Sequence, residues 1–180
     1  MRELIDDITI ILVLYQEREE IVTECLKNIK NFKIIIVDND NNLVLKKNIV
    51  SNFNIYKYIT SKKNIGFTKA ANIAINLINT EYILNINADC LIKESDILKL
   101  IISHKKYENC FIIAPTLYDG NNNISYNAGA FSNKNLEKNI LSFDGDVCVD
   151  WVIGSVILFK KRDIQKLGML DENYFLYFED

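Results

Sequence analysis

With 180 residues the chain is long enough for one domain with a sizeable core and short for two. A hydrophobic fraction of 49% and a charged fraction of 25% are those of an ordinary globular protein. The net charge of −3, with lysines scattered rather than clustered, leaves no electrostatic footprint for nucleic acid.

The first residues carry Arg2, Glu3, Asp6 and Asp7 ahead of any apolar run, which is not the pattern of a signal peptide. Ile8 to Tyr15 is β-branched and apolar on both parities, the pattern of a strand covered on both faces in a parallel sheet. Gln16-Glu17-Arg18 ends it. From Glu19 to Lys30, Ile21, Val22, Cys25, Leu26 and Ile29 recur at helical spacing, with Glu19 and Glu20 where the helix dipole favours acids. Lys33 to Val37 is a second buried strand that runs into Asp38-Asn39-Asp40, and Asn39 to Asn42 is a loop. A weaker helix over Leu43 to Phe53 precedes a strand at Ile55 to Ile59.

Ser61 to Gly66 reads as a loop, with Gly66 hinging into a helix from Phe67 to Ile78 whose Ala70, Ala71 and Ala74 suit close packing on a sheet. Tyr82 to Asn87 is a strand ending on Ala88-Asp89. A helix opens at Ser95 or Asp96 and runs to about Tyr107, followed by a buried strand from Cys110 to Ala114 that Pro115 stops. Beyond it, a turn at Asp119 to Asn123, a short strand at Ile124 to Phe131 and a loop or lid at Ser132 to Gly145 lead to a strand-like run, Val147 to Phe159, broken by Gly154. Lys161 to Leu167 is a short helix. Strands alternating with helices predict an α/β fold with a doubly wound, mostly parallel sheet, in one domain without linker or repeat. No apolar run is long enough to span a bilayer.

The four cysteines form no CxxC pair and read as isolated reduced thiols. His104 is the single histidine, expected on a helix at a surface or half-buried position, so a Ser-His-Asp triad or a multi-His metal site has little to build on. GxGxxG, GxxxxGK[ST] and GxSxG are all absent, which removes the dinucleotide, P-loop and hydrolase readings. Three polar or acidic strand ends remain: Gln16-Glu17, Asp38-Asn39 and Asn87-Ala88-Asp89. A parallel sheet gathers them at its carboxyl edge, where open α/β sheets bind ligands. Such an edge suits a nucleotide whose diphosphate arrives with Mg²⁺ or Mn²⁺. By residue type alone Asp89 could hold a cation or a ribose or cap the next loop, and Asp38 could equally be a strand-end turn residue.

The ordered motifs ILVLYQ, IIIVDND, NIGFTKAAN, ILNINAD, VDWVIGSVILFKK and LDENYFLYFED resemble those of the family 2 nucleotide-sugar glycosyltransferases, from Ile8 to Asp180. The last, similar to the family's FDE.FFLY.ED, is the most specific, and among members the chain looks most like bacterial rhamnosyltransferase-type enzymes. The resemblance implies a GT-A, Rossmann-like fold and inverting transfer from a UDP- or dTDP-sugar to a hydroxyl of a glycan or lipid-linked acceptor in surface polysaccharide synthesis. It further implies a cytoplasmic location with peripheral contact at the inner face of the plasma membrane. Tyr15 matches the residue packing on the base, Glu17 lies near the ribose, and Asp38 matches the acid that hydrogen-bonds the base. Asn64, Gly66 and Asn72 match the donor-binding loop and helix start, and Asp89 matches the last acid of the metal-binding DxD motif. Asn87 stands where that motif has its first Asp, so one carboxylate is lost. Trp151 and Gly154 match the wall of the sugar and acceptor site, although a buried core Trp fits Trp151 nearly as well. Asp180, with Glu179 beside it, matches the general base. The chain stops at this motif and is expected to lack the family's usual C-terminal extension; a sugar-nucleotide-binding module with little transfer activity is the alternative. A nucleotidyltransferase would want a Gly- and Arg-rich loop where Tyr15-Gln16-Glu17 stands.

Overall fold

The computed structural model describes residues 2–125, 128–129 and 145–175. At its centre is a six-stranded sheet. The strands β1 (Ile8–Leu14), β2 (Lys33–Asp38), β3 (Lys57–Thr60) and β4 (Tyr82–Ile86) follow the helices α1 (Arg2–Asp6), α2 (Glu19–Ile29), α3 (Leu43–Asn52) and α4 (Phe67–Asn76) in alternation. After them come α5 (Glu94–Lys106), β5 (Ile112–Ile113), the short strands β6 (Leu117–Tyr118), β7 (Ile124–Ser125), β8 (Ala128–Gly129) and β9 (Trp151–Val152), then β10 (Val156–Lys160) and α6 (Lys161–Lys166).

The sheet order is β3-β2-β1-β4-β10-β5. The first four strands are parallel, with Leu14 opposite Asp38 and Ile11 opposite Asn85. The chain leaves β1 towards β2 on one side and returns to β4 on the other, so the topological switch point lies between β1 and β4. All three polar strand ends meet at one edge of the sheet, as the parallel reading requires. Both faces are covered, which is why β1, β2 and β4 are apolar on both parities. Ile10, Leu12, Ile34, Ile36, Leu84 and Ile86 pack with α2, α3 and α5. Ile11, Ile35, Val37 and Ile83 pack with Ala70, Ala74 and Ile75 of α4 and Ile164 of α6. The alanines let α4 sit close on the sheet.

The structure corrects three expectations. The Val147 to Phe159 run, broken at Gly154 as read, sends its two parts to different sheets: β9 pairs with β8 in a separate two-stranded sheet, whereas β10 enters the main sheet antiparallel to β4. By taking the place beside β4, β10 pushes the expected buried strand at Cys110 to Ala114 to the sheet edge, where only Ile112–Ile113 is strand and Ile112 is exposed. His104 is buried at 2% exposure, with its ring edge-on to Tyr82 at 5.6 Å between centroids. The helix α1 was not foreseen; a five-residue segment with two apolar side chains, Leu4 and Ile5, is too short to show a period, yet both pack on the core.

Burial, helped by the Lys160 charge, pushes the His104 pKa down, against the weaker opposing effect of Asp163. The unfolded chain therefore binds a proton that the native state does not. Its contribution to stability is full above the ordinary histidine value of 6.5 and is lost as pH falls below it. Urea midpoints are expected to drop between pH 7.5 and 5.5 in the native sequence and to drop markedly less in His104→Gln; equal slopes would remove His104 as the cause.

Candidate active site at the carboxyl edge of the sheet

At the end of β1 the chain turns sharply. Gln16 adopts φ 55°, a left-handed backbone that non-glycine residues seldom take. The turn leaves Tyr15 exposed at 46% and Glu17 half-buried at the sheet edge. Tyr15 thus presents an exposed aromatic ring next to the switch point.

Asp38 closes β2 and is 1% exposed. Its Oδ1 accepts from the Asp40 amide at 2.8 Å, and its Oδ2 accepts from the Asn42 amide and the Tyr58 hydroxyl, each at 3.1 Å. A carboxylate has about four acceptor positions, so Asp38 organises the loop that enters α3 and keeps limited capacity for a ligand. Burial first, and then the Asp38 charge, pushes the Tyr58 hydroxyl pKa far up, so Tyr58 stays a donor. Asn42 in turn caps α3 by accepting from the Leu45 amide at 3.0 Å.

Asn39, next to Asp38, is 3% exposed; its Nδ2 donates to the Gly66 carbonyl at 3.1 Å, while its buried Oδ1 has no hydrogen-bond partner among the described residues. Asn64 Oδ1 accepts from the Gly66 amide at 2.9 Å, closing a tight turn into α4. Gly66 needs its freedom twice over. Its φ is 85°, and a Cβ there would stand 2.8 Å from the Phe175 carbonyl oxygen. Gly66→Ala is expected to cost about 1–3 kcal/mol, seen as a lower urea midpoint; an unchanged midpoint would mean that the Phe175 segment yields freely.

Asn72, which reads from its sequence neighbourhood as a helix-surface residue, is 5% exposed. Its Nδ2 donates to the Leu170 carbonyl at 2.9 Å and to Glu172 Oε1 at 3.1 Å, and its Oδ1 accepts from the Leu170 amide at 3.2 Å. Both ends of the amide are therefore engaged with the C-terminal segment.

Beyond β4, Asn87 is half-buried and its amide donates to the Ser155 carbonyl at 2.9 Å, while Asp89 is exposed. Burial raises the Glu17 pKa, and the Asp89 charge raises it further, against Arg18. The two carboxylates thus sense each other across the β1–β4 switch point. The same negative field reaches two thiols. Cys90, with Sγ 3.8 Å from Asp89 Oδ1, is pushed up to about 11, and Cys25 to about 12, by burial first in each case. Neither is a nucleophile at neutral pH.

No cluster of three or more His, Cys, Asp or Glu side chains suited to a metal occurs among the described residues. Glu17 and Asp89 are nonetheless a hard oxygen pair whose mutual repulsion a cation would relieve. Mg²⁺ and Mn²⁺ need no more than one or two carboxylates when a diphosphate completes the shell. The donor set fits.

The half-buried Trp151 lies in the β8–β9 pair directly over Gly129, where a Cβ would meet the indole at 2.5 Å. Gly154 is tied to the sheet from β4: Asn85, 3% exposed, donates its Nδ2 to the Gly154 carbonyl at 3.0 Å. Sequence reasoning missed Asn39 and Asn85. The signal for Asn85 was an amide inside an otherwise apolar strand, a position that demands a partner. Glu179 and Asp180 lie outside the described residues.

The three-layer α/β fold gathers Glu17, Asp38 and Asp89 at the carboxyl edge of its parallel strands, where open α/β sheets bind ligands. The chain belongs to glycosyl transferase family 2, which it matches over residues 9–166. It is 27% identical over 197 residues to the rhamnosyltransferase WbbL of Escherichia coli, covering 94% of this chain and 73% of that protein. It is 26% identical over 187 residues to the low-salt glycan biosynthesis hexosyltransferase of Haloferax volcanii, covering 98% of this chain and 60% of that protein. Among solved structures it is similar to the mannosyltransferase PcManGT from Pyrobaculum calidifontis in complex with GDP-Man and Mn²⁺, with a TM-score of 0.65, 14% identity, and coverage of 93% of this chain and 48% of that one. S. aureus TarS in complex with UDP-GlcNAc gives a TM-score of 0.64 at 11% identity, covering 92% of this chain and 48% of that one. The fold is that of the GT-A glycosyltransferases. The chain spans about half the length of these structural relatives.

Proposed function

We propose that this domain transfers a sugar, with inversion, from a nucleoside-diphosphate sugar to a hydroxyl acceptor. The observation that carries the reading is the convergence of Glu17, Asp38 and Asp89 at the carboxyl edge of the parallel strands β1, β2 and β4, beside the exposed ring of Tyr15. Tyr15 stacks on the base, and Asp38 accepts from the base N–H. Glu17 lies by the ribose and shares the cation with Asp89. Asn64 and Gly66 line the donor on the α4 side, and Asn87, Trp151 and Gly154 wall the sugar.

A bound Mg²⁺ or Mn²⁺ supplies charge stabilisation for the departing diphosphate. Asp180, assisted by Glu179, takes the proton of the acceptor hydroxyl. The acceptor oxygen forms its bond to the anomeric carbon as the bond from that carbon to the phosphate oxygen breaks, and the nucleoside diphosphate leaves with the electron pair. The two solved relatives named above hold GDP-Man with Mn²⁺ and UDP-GlcNAc, which supports a nucleotide-sugar donor. A UDP- or dTDP-hexose or rhamnose, and a glycan or lipid-linked acceptor in bacterial surface polysaccharide synthesis at the inner face of the plasma membrane, complete the reading. No helix among the described residues is long and apolar enough to cross a membrane, so such contact would be peripheral.

Calorimetric titration of UDP, dTDP and GDP, with and without Mn²⁺, tests the proposal. Saturable binding that strengthens with Mn²⁺ is expected for at least one of them. A folded protein that binds none of the three would leave the fold without this function.

A further inference from the structure

The first turn of α4 is fastened to a segment about a hundred positions further along the chain. Thr68, 1% exposed, donates its hydroxyl to the Tyr174 carbonyl at 2.6 Å. The Phe67 amide, one of the helix's orphan N-terminal donors, gives its hydrogen bond to the Phe175 carbonyl at 3.0 Å. One turn later Asn72 makes its three bonds to Leu170 and Glu172. Gly66 presents its bare Cα to Phe175. On the opposite side Gly66 accepts from Asn39 at the end of β2 and is bonded to Asn64. A continuous chain of buried and partly buried polar contacts thus runs from the β2 edge, through the Asn64–Gly66 turn, to residues 170–175.

We propose that Thr68 and Asn72 are positioning residues: they latch the 170–175 segment to α4, so that the donor-side turn and residues 170–175 hold one fixed relation. Asn72 then acts through the segment it grips rather than by touching the donor. The functional half of this inference rests on the glycosyl-transfer reading; the latch itself does not. The α4 side of each bond is buried, Thr68 at 1% and Asn72 at 5% exposure, so a removed donor leaves a partly buried carbonyl without its partner, which costs more than a fully exposed bond of the same length.

The test uses the full chain and Thr68→Val, a near-isosteric change, with Thr68→Ser as the rescue. In Thr68→Val the Phe67 amide is expected to exchange its hydrogen about tenfold faster under native conditions, while amides of β1 and β2 keep their rates and Thr68→Ser restores protection. Asn72→Asp, which keeps an acceptor for the Leu170 amide but loses both donated bonds, is expected to free the same amide. Calorimetry with UDP and Mn²⁺ is expected to give an affinity within about twofold of the native protein for Thr68→Val. Transfer kcat is expected to fall about tenfold with donor KM little changed. Unchanged Phe67 exchange in a folded Thr68→Val protein overturns the latch. Donor affinity and kcat falling together would overturn the positioning role and place Thr68 in the donor pocket. Should the native chain bind no nucleoside diphosphate, the transfer reading fails while the exchange measurement still decides the latch.

Discussion

Replacing Asp89 with alanine is expected to abolish the Mn²⁺-dependent part of nucleoside-diphosphate binding and to reduce transfer by about a thousandfold, the equivalent of several kcal/mol of lost charge stabilisation. The size follows from what is left behind. Asn87 is neutral and can offer a cation no more than an amide oxygen, so Asp89 is the one carboxylate that β4 sends to this edge. Glu17 alone, half-buried and with its pKa raised by burial, is a poor ligand. Removing Asp89 also relieves its repulsion of Glu17, whose titration is expected to move back towards the ordinary glutamate range. Stability is expected to shift by no more than about 0.5 kcal/mol, because Asp89 is exposed and its side-chain contact is the long one from the Cys90 thiol. Calorimetry with and without Mn²⁺, beside a urea melt, reads all of this. Asp89→Ala that still binds UDP with undiminished metal dependence would take Asp89 out of the mechanism.

Replacing Asp180 with asparagine is expected to lower kcat by about 10²–10⁴, the usual weight of a general base, with donor affinity unchanged. The argument is one of position along the chain. Residues 170–175 are held against α4 through Leu170, Glu172, Tyr174 and Phe175, and in the sequence Asp180 follows Phe175 by five residues. The substitution keeps shape and removes the basic oxygen, so a base loses turnover and a mere donor ligand loses binding. Equal falls in affinity and kcat would assign Asp180 to the donor site. No change in either would return the base role to Glu179 or to another group.

The parallel strands and their acidic ends were legible in the sequence because full burial on both faces leaves a local mark. Ile8 to Leu14, Ile34 to Val37 and Tyr82 to Ile86 are apolar on both parities, and each breaks into polar residues where the chain leaves the sheet. Parallel pairing then fixes which ends share an edge, so the convergence of Glu17, Asp38 and Asp89 follows from strand direction alone. The helices α2, α4 and α5 were legible for the same reason, since their apolar stripes repeat within the segment.

Only the tertiary structure could decide partners far apart in the chain. Nothing local says that β10 slips in antiparallel beside β4 and displaces the Cys110 to Ala114 strand, because an apolar run carries no label for its direction or neighbour. His104 is buried because Tyr82 and the edge of the sheet lie across it. Asn72 looks like a helix-surface residue when read in order, and the amides of Asn39 and Asn85 name no partner; all three become fasteners once Leu170, Gly66 and Gly154 are brought to them. Periodic burial is written along the chain, and so the layers and the acidic edge were determined by the sequence itself. A buried hydrogen bond depends on which distant carbonyl arrives opposite, and so the latch between α4 and residues 170–175 was decided by the fold.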